Sequence, residues 1–193
     1  MAHKFDPKNK EKLQSKERKE SLPPEIILQK GGLLPGETLI DIGCGVGFFS
    51  VPATRMLGPK GKVYALDTSS DMTEFLRAET GKAAIENIEI IESQEYDFPL
   101  EDSQGDMLLM SMVLHEVEDK KRFLMEARRI LKQEGRILII EWQKEETDQG
   151  PPLNHRLDFQ ETKKYLIEAG FMDPKALSLQ EVAKTFYIIT AEA

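Results

Sequence analysis

The stretch Asp41-Ile42-Gly43-Cys44-Gly45-Val46-Gly47 decides the reading of this chain. It closes ETLIDIG (37–43), a short run rich in Ile and Leu that stops at glycine. A run apolar at successive positions predicts a strand buried on both faces, as in a parallel sheet. Glycines at the carboxyl end of such a strand remove Cβ atoms, so a ligand can lie against the backbone there. Three glycines in five residues predict more than a tight turn. The dinucleotide fingerprint G-x-G-x-x-G, counted from Gly43, needs glycine at position 48, where Phe stands. The triphosphate-binding loop needs a Lys-Ser/Thr pair, and Phe48-Phe49 stands there instead. Asp41, just before the glycines, suits a cationic ligand better than a phosphate.

Outward from this loop, strand-like and helix-like segments alternate. Residues 46–57 have helical apolar spacing, interrupted by Pro52, and stop before Gly58-Pro59. KVYALD (62–67) reads as a second strand, followed by a helix from Ser69 or Ser70 to about Ala84. IEIIES (88–93), DMLLMSM (106–112) and RILIIEW (136–142) read as three more strands. Helices follow from Asp119 through Leu131 and over 159–169. PKALSLQE and TFYIITAE alternate more cleanly and predict an antiparallel hairpin at a sheet edge. The pattern predicts an α/β doubly wound sheet forming one domain over residues 1–193. Its core spans 37–193, and residues 1–36 form a helical arm, a candidate lid on the strength of Phe5 and Leu22.

Composition narrows the function classes. The 193 residues are 40% hydrophobic and 31% charged, enough apolar material for a folded core. The net charge of −8 disfavours nucleic acid as a partner, since phosphate contacts need clustered cations. The first 30 residues carry 8 Lys/Arg and 5 Asp/Glu, so this stretch is basic while the rest is strongly acidic. That stretch reads as a solvated arm or as a hook for an anionic substrate. One cysteine, Cys44, excludes a disulfide framework or a Cys-cluster zinc site. The scattered His3, His115 and His155 argue against any metal site. No run reaches the roughly 18 apolar residues of a membrane span. The first residues lack the apolar region of a secretory signal, so the cytoplasm is the expected compartment.

Asp67 closes the second strand, which lies beside the first in a doubly wound sheet. Taken alone it reads equally as a turn or cap aspartate; beside the glycine loop it reads as a ribose-diol acceptor. DIGCGVG and ALDTSSDM (65–72) together resemble the class I S-adenosylmethionine-dependent methyltransferases. LLMSMVLHEVED (108–119) resembles that family's fourth-strand segment, and RRILKQEGRILIIEW (128–142) its helix into strand five. The resemblance spans about residues 33–193 and is nearer to the type 11, ubiquinone/menaquinone-biosynthesis-like branch.

The resemblance implies a Rossmann-like, seven-stranded, mostly parallel sheet with an antiparallel last strand, and S-adenosylmethionine as cofactor. It places Asp41, Gly43 and Gly45, with Cys44 among the cofactor-binding positions, against the methionine end. It gives Asp67 the ribose hydroxyls, and Thr68 and Met72 the adenine side. The family often has an adenine-binding Asp after strand three. Here Glu92-Ser93-Gln94-Glu95 departs from that pattern, leaving Ser93 and the Gln94 backbone for the role. Ser111, ending strand four, is expected to face the methionine and sulfonium region. The implied reaction is in-line methyl transfer to a small-molecule acceptor, with position and exclusion of water as the protein's contribution.

For the acceptor side, His115-Glu116 follows strand four at the active-site edge. His115 can take a proton from an oxygen or nitrogen nucleophile, with Glu116 to orient it; the alternative is a packing histidine beside a solvated acid. Arg156, in GPPLNHR (150–156), can bind a carboxylate or phosphate, or form a surface ion pair. Trp142 walls a substrate site or packs at the core's edge. The Cys44 thiol and Met107, Met110 and Met112 read as packing. Two other function classes fit the fold: a nicotinamide-dependent oxidoreductase, against which Phe48 speaks, and a non-catalytic cofactor-binding protein.

Overall fold

The computed structural model describes residues 15–193. Its centre is the run of apolar strands anticipated from the sequence. β1 (Thr38–Ile42), β2 (Lys62–Asp67), β3 (Ile88–Glu92), β4 (Gly105–Ser111) and β5 (Leu131–Trp142) are parallel. β7 (Phe186–Glu192) runs antiparallel beside β5, and β6 (Met172–Ala176) pairs antiparallel with β7 at the edge. The order β3-β2-β1-β4-β5-β7-β6 makes seven strands and reverses direction between β1 and β4. Ligands of open α/β sheets bind at such a switch point, outside the carboxyl ends of the strands.

Strand alternation divides the core into two layers. Leu39, Met107, Leu109, Leu138 and Ile140 face one side, with Ile27 and Leu28 of α2 (Pro24–Lys30), Ala53 and Leu57 of α3 (Ser50–Leu57) and Leu76 of α4 (Ser70–Lys82). Ile40, Leu108, Met110, Ile137 and Ile139 face the other. There they meet Phe123, Leu124 and Ala127 of α5 (Lys120–Ile130) and Leu166 of α6 (Phe159–Glu168). Both faces being covered is why β1, β4 and β5 carry apolar residues at successive positions. Asp119 caps α5 by accepting from the Arg122 amide, and Asp158 with Glu161 forms a reciprocal capping box on α6.

Three segments depart from the expected boundaries. The helix expected from residue 46 begins at Ser50, because Gly43, Gly45 and Gly47 all hold positive φ (70°, 52° and 80°). Pro52 then falls in the first turn, where its missing N–H interrupts no helical bond. Helix α5 hands over directly to β5 at Leu131, so Gly135 lies inside the strand. The hairpin forms, but its first strand ends at Ala176; the Leu177 amide still donates to Ile188 O of β7, after which Leu179 and Val182 leave the sheet, and all three side chains pack against the α2/α3 layer.

The segment expected as an arm over residues 1–36 divides in two. Phe5 lies outside the described residues. Leu22, Ile27 and Leu28 are fully buried, so α2 is a layer of the core. Arg136 of β5 fastens it from below, donating to the carbonyls of Gly31 and Gly32 and to the Glu37 carboxylate. A lid can therefore extend no further than α1 (Lys16–Ser21). Leu22→Ala is expected to cost about 2–5 kcal/mol in urea unfolding, as for other fully buried leucines. An unchanged midpoint would show that this segment is detachable after all.

Candidate active site

The carboxyl ends of β1 and β2 carry the site's acids. Asp41 lies at the inner end of β1, 2% exposed, and its Oδ2 accepts from Ser50 Oγ at 2.5 Å. Asp67, ending β2, accepts from the Gly45 amide at 2.8 Å and from the Ser69 amide at 2.9 Å. The amides of Gly43 and Cys44 both donate to the Leu66 carbonyl (2.8 and 2.9 Å). Three successive loop amides are thus tied to the end of the neighbouring strand. Gly43 must be glycine: a Cβ there would stand 2.4 Å from Val113 Cγ2, at φ +70°.

Burial pushes the Asp41 carboxyl up to about 7; the Ser50 hydroxyl opposes this, the Asp67 charge adds to it, and the Arg18 charge opposes it. Burial also raises Asp67, against the pull of the Ser69, Gly45 and Thr68 amides. Two acids held in poor solvation favour a cationic guest, whose charge stabilises their ionised forms. The Cys44 thiol is pushed well up, first by burial and then by the Asp41 and Asp67 charges. It stays protonated at neutral pH and is not a nucleophile.

Of the residues expected on the adenine side, Met72 is buried in the first turn of α4 and Thr68 is exposed. Ser93 is buried, its amide donating to the Asp67 carbonyl at 3.0 Å, while Gln94 is exposed and bridges to Asp97. Ser111 ends β4 with its Oγ buried and without a hydrogen-bond partner among the described residues. A buried hydroxyl without a partner is costly unless a ligand completes it.

Three features of the site were not read from the sequence. Arg18, on α1, stacks over the Phe48 ring at 4.6 Å and lies in the field of Asp41. Its Nε is buried without a partner among the described residues, and burial lowers the guanidinium to about 10. The Ser21 carbonyl accepts from the Ala183 amide at 2.9 Å, joining α1 to the β6–β7 connection. Met112, expected as core filler, holds φ +60° at the end of β4, a strained conformation for a non-glycine residue. The third feature is the partner of His115. Its Nδ1 lies 2.7 Å from Glu141 Oε2, and its amide donates to Glu141 Oε1 at 3.2 Å. Glu141 ends the same sequence run as Trp142, 26 residues away from His115.

Two expectations change. Glu116 shares the short turn Leu114–Glu116 with His115 and contributes to the field at the ring, but the orienting carboxylate is Glu141. Arg156 is not placed to grip an anionic substrate. Its Nε donates to Pro151 O, Nη1 to Gln143 O and Glu145 O, and Nη2 to Thr147 Oγ1 and Gln149 O. Those five bonds use all five donors of a guanidinium. The groove beside it, about 760 Å³, is lined by Glu145, Glu146 and Asp148. Trp142 is taken up by the Phe186 ring at 4.6 Å, the Arg156 guanidinium at 5.3 Å, and Gly150, where a Cβ would touch the indole. Among the described residues no group of three or more His, Cys, Asp or Glu can hold a metal ion, and no helix is long and apolar enough to cross a membrane. Arg156→Lys keeps the charge but not the five-way grip. It is expected to speed proteolysis within 143–151 and cost about 1–3 kcal/mol of stability. A stable, uncleaved variant would return Arg156 to the substrate.

Comparison with known proteins agrees with this geometry. A family model described as a methyltransferase domain matches residues 33–176. A ubiquinone/menaquinone biosynthesis C-methyltransferase of Francisella tularensis subsp. novicida is 31% identical over 118 residues, 61% of this chain and 47% of that protein. A 2-phytyl-1,4-naphtoquinone methyltransferase of Trichormus variabilis is 30% identical over 126 residues, 65% of this chain and 55% of that protein. The chain thus spans about half the length of these curated relatives. The crystal structure of a SAM-dependent methyltransferase from Aquifex aeolicus superposes with a TM-score of 0.89 at 34% identity, over 97% of this chain and 98% of that one. With the glycine loop, the switch point and the strand order in place, the chain belongs to the methyltransferase-domain family.

Proposed function

We propose that the chain transfers a methyl group from S-adenosylmethionine to a small-molecule acceptor. The observation that carries this reading is the Asp67 carboxylate, which clamps the glycine loop at Gly45 and whose charge acts on buried Asp41. The molecule to be held combines a nucleoside, an ammonium, a carboxylate and a sulfonium, and the residues present fit each part. The Asp67 carboxylate, with its roughly four lone-pair sites, accepts backbone amides and keeps capacity for a ribose hydroxyl. Asp41 suits the ammonium, and the Nε of Arg18, without a partner among the described residues, suits the carboxylate. Met72 and Ser93, with the Gln94 backbone, border the adenine side. Ser111 Oγ offers its free hydroxyl toward the methionine end.

When bound, S-adenosylmethionine supplies a methyl carbon made electrophilic by its sulfonium. The chain's contribution is to orient and to exclude water. Arg18 on Phe48, and the tie between Ser21 and Ala183, put α1 and the β6–β7 connection over the glycine loop. Among small acceptors we favour the hydroquinone class, on the names of the relatives from Francisella and Trichormus.

Calorimetry is expected to show binding of S-adenosylmethionine and S-adenosylhomocysteine and none of NAD; a preference for NAD would overturn the reading. Asp67→Ala is expected to weaken cofactor binding about tenfold or more, roughly 1.4 kcal/mol. Asp41 supplies a pH test. Its folded-state carboxyl titrates near 7 against an ordinary 3.8, so the free protein holds a proton there in weak acid. A cationic guest favours the ionised form, so binding releases that proton and strengthens from about pH 6 to about pH 8. Titration in buffers of different ionisation enthalpy counts the proton; Asp41→Asn abolishes the slope.

A further inference from the structure

The turn after β4 does two things at once. Val113 lies against Gly43 of the glycine loop, where a Cβ would be 2.4 Å from it. Two residues later, His115 lies on Glu141. The segment that floors the cofactor loop therefore also carries a buried histidine–carboxylate pair at the carboxyl ends of β4 and β5. Glu141 is 1% exposed, and both its oxygens are spent on His115, one on the ring and one on the amide. That double contact fixes the ring's orientation. With Nδ1–H directed at the carboxylate, the neutral ring presents Nε2 as an acceptor on its opposite edge. A carboxylate fixing the tautomer of a histidine is the arrangement by which proteins hold an imidazole ready to take a proton.

We infer that His115 is the catalytic proton acceptor of this methyltransferase and that Glu141 is its positioning residue; with the hydroquinone class favoured above, the proton it takes is that of an acceptor hydroxyl. The inference rests on the methyl-transfer reading above. The hydroxyl proton passes to His115 Nε2. The electron pair it leaves on oxygen is delivered through the ring to the adjacent ring carbon, which closes on the methyl carbon while the methyl–sulfur pair stays on sulfur; that carbon's own proton then shifts to the oxygen, giving the C-methylated hydroquinone and S-adenosylhomocysteine. The imidazolium, balanced by Glu141, then returns its proton to solvent.

The charges facing the ring set the pH dependence. Burial pulls His115 down, but the hydrogen bond and charge of Glu141 on β5, with Glu116 in its own turn, raise it overall; Lys120 of α5 opposes them. Beyond these, Tyr187 of β7 lies in the field of Glu141, and Glu161 of α6 in that of Lys120. His115 accepts a proton only when neutral, so turnover rises with pH through its titration and falls away below it. Removing the Glu141 charge moves that limb to lower pH.

The test uses the full chain with S-adenosylmethionine and, as probe, 1,4-naphthohydroquinone beside catechol and aniline. His115→Asn keeps a side-chain N–H for Glu141 but lacks Nε2; it is expected to bind S-adenosylmethionine within about twofold of the parent and to lose turnover of the hydroxyl probes by about a hundredfold or more. Glu141→Gln is expected to keep cofactor binding and shift the acid limb of kcat/KM to lower pH. Side-chain ¹⁵N NMR of His115, which needs no acceptor, is expected to show a proton on Nδ1 and titration at Nε2, at lower pH in Glu141→Gln. Full turnover by His115→Asn, a limb unmoved in Glu141→Gln, or an Nε2 that does not titrate would each overturn the dyad. Methylation of aniline alone, or of no probe while the cofactor binds, would overturn the acceptor class. Failure to bind S-adenosylmethionine would instead overturn the methyltransferase reading beneath it.

Discussion

The bond from the Gly45 amide to the Asp67 carboxylate, 2.8 Å long, is the constraint on which the rest of the site depends. With the Gly43 and Cys44 amides on the Leu66 carbonyl, it turns the loop's donors sideways onto β2. A loop held this way cannot begin a helix, so α3 waits until Ser50. That delay is what puts the Ser50 hydroxyl, the helix's first residue, on Asp41. It also leaves Phe48 and Phe49 as a T-shaped pair, 5.1 Å between centroids, with Phe48 facing Arg18. Three glycines with positive φ are the local requirement for all of this.

Such a site is not built for stability. Burial, with the Asp67 charge added to it, moves Asp41 from an ordinary 3.8 to about 7. The displacement corresponds to roughly 4 kcal/mol of preference for the neutral acid over its ionised form. Ser111 Oγ and Arg18 Nε, buried without partners among the described residues, add to the cost, as does Met112 at φ +60°. The well-packed layers on both faces of the sheet carry this strain, and a guest of complementary charge relieves it.

The cofactor half of the site was legible in the sequence because its signals are local. The strand that stops at glycine, the spacing of the glycines and the acid closing the next strand all lie within 41–67. The sheet was legible for the same reason, since each apolar run announces its own burial. The acceptor half was not, because its partners are set by pairing between distant strands. Ser111 pairs with Ile140, and only that register brings His115 against Glu141; sequence adjacency pointed to Glu116 instead. Arg156 misled for a related reason. Four of the five groups it holds are backbone carbonyls, which leave no mark in the sequence. Arg18 stood in a run of alternating charges where nothing distinguished it from its solvated neighbours.

This division has a functional consequence. The residues proposed for the glycine-loop end of the cofactor, Asp41, Gly43, Gly45 and Asp67, sit in one contiguous unit from β1 to the end of β2. The residues proposed for the acceptor side, His115 and Glu141, come from the turn after β4 and from the end of β5, brought together by long-range strand pairing. The two halves meet at Val113, whose contact with Gly43 makes the turn bearing His115 a direct neighbour of the loop. A change in the loops after β4 and β5 can therefore alter what is methylated without disturbing the Asp67 clamp. A change at Gly43 displaces Val113 and disturbs both halves at once.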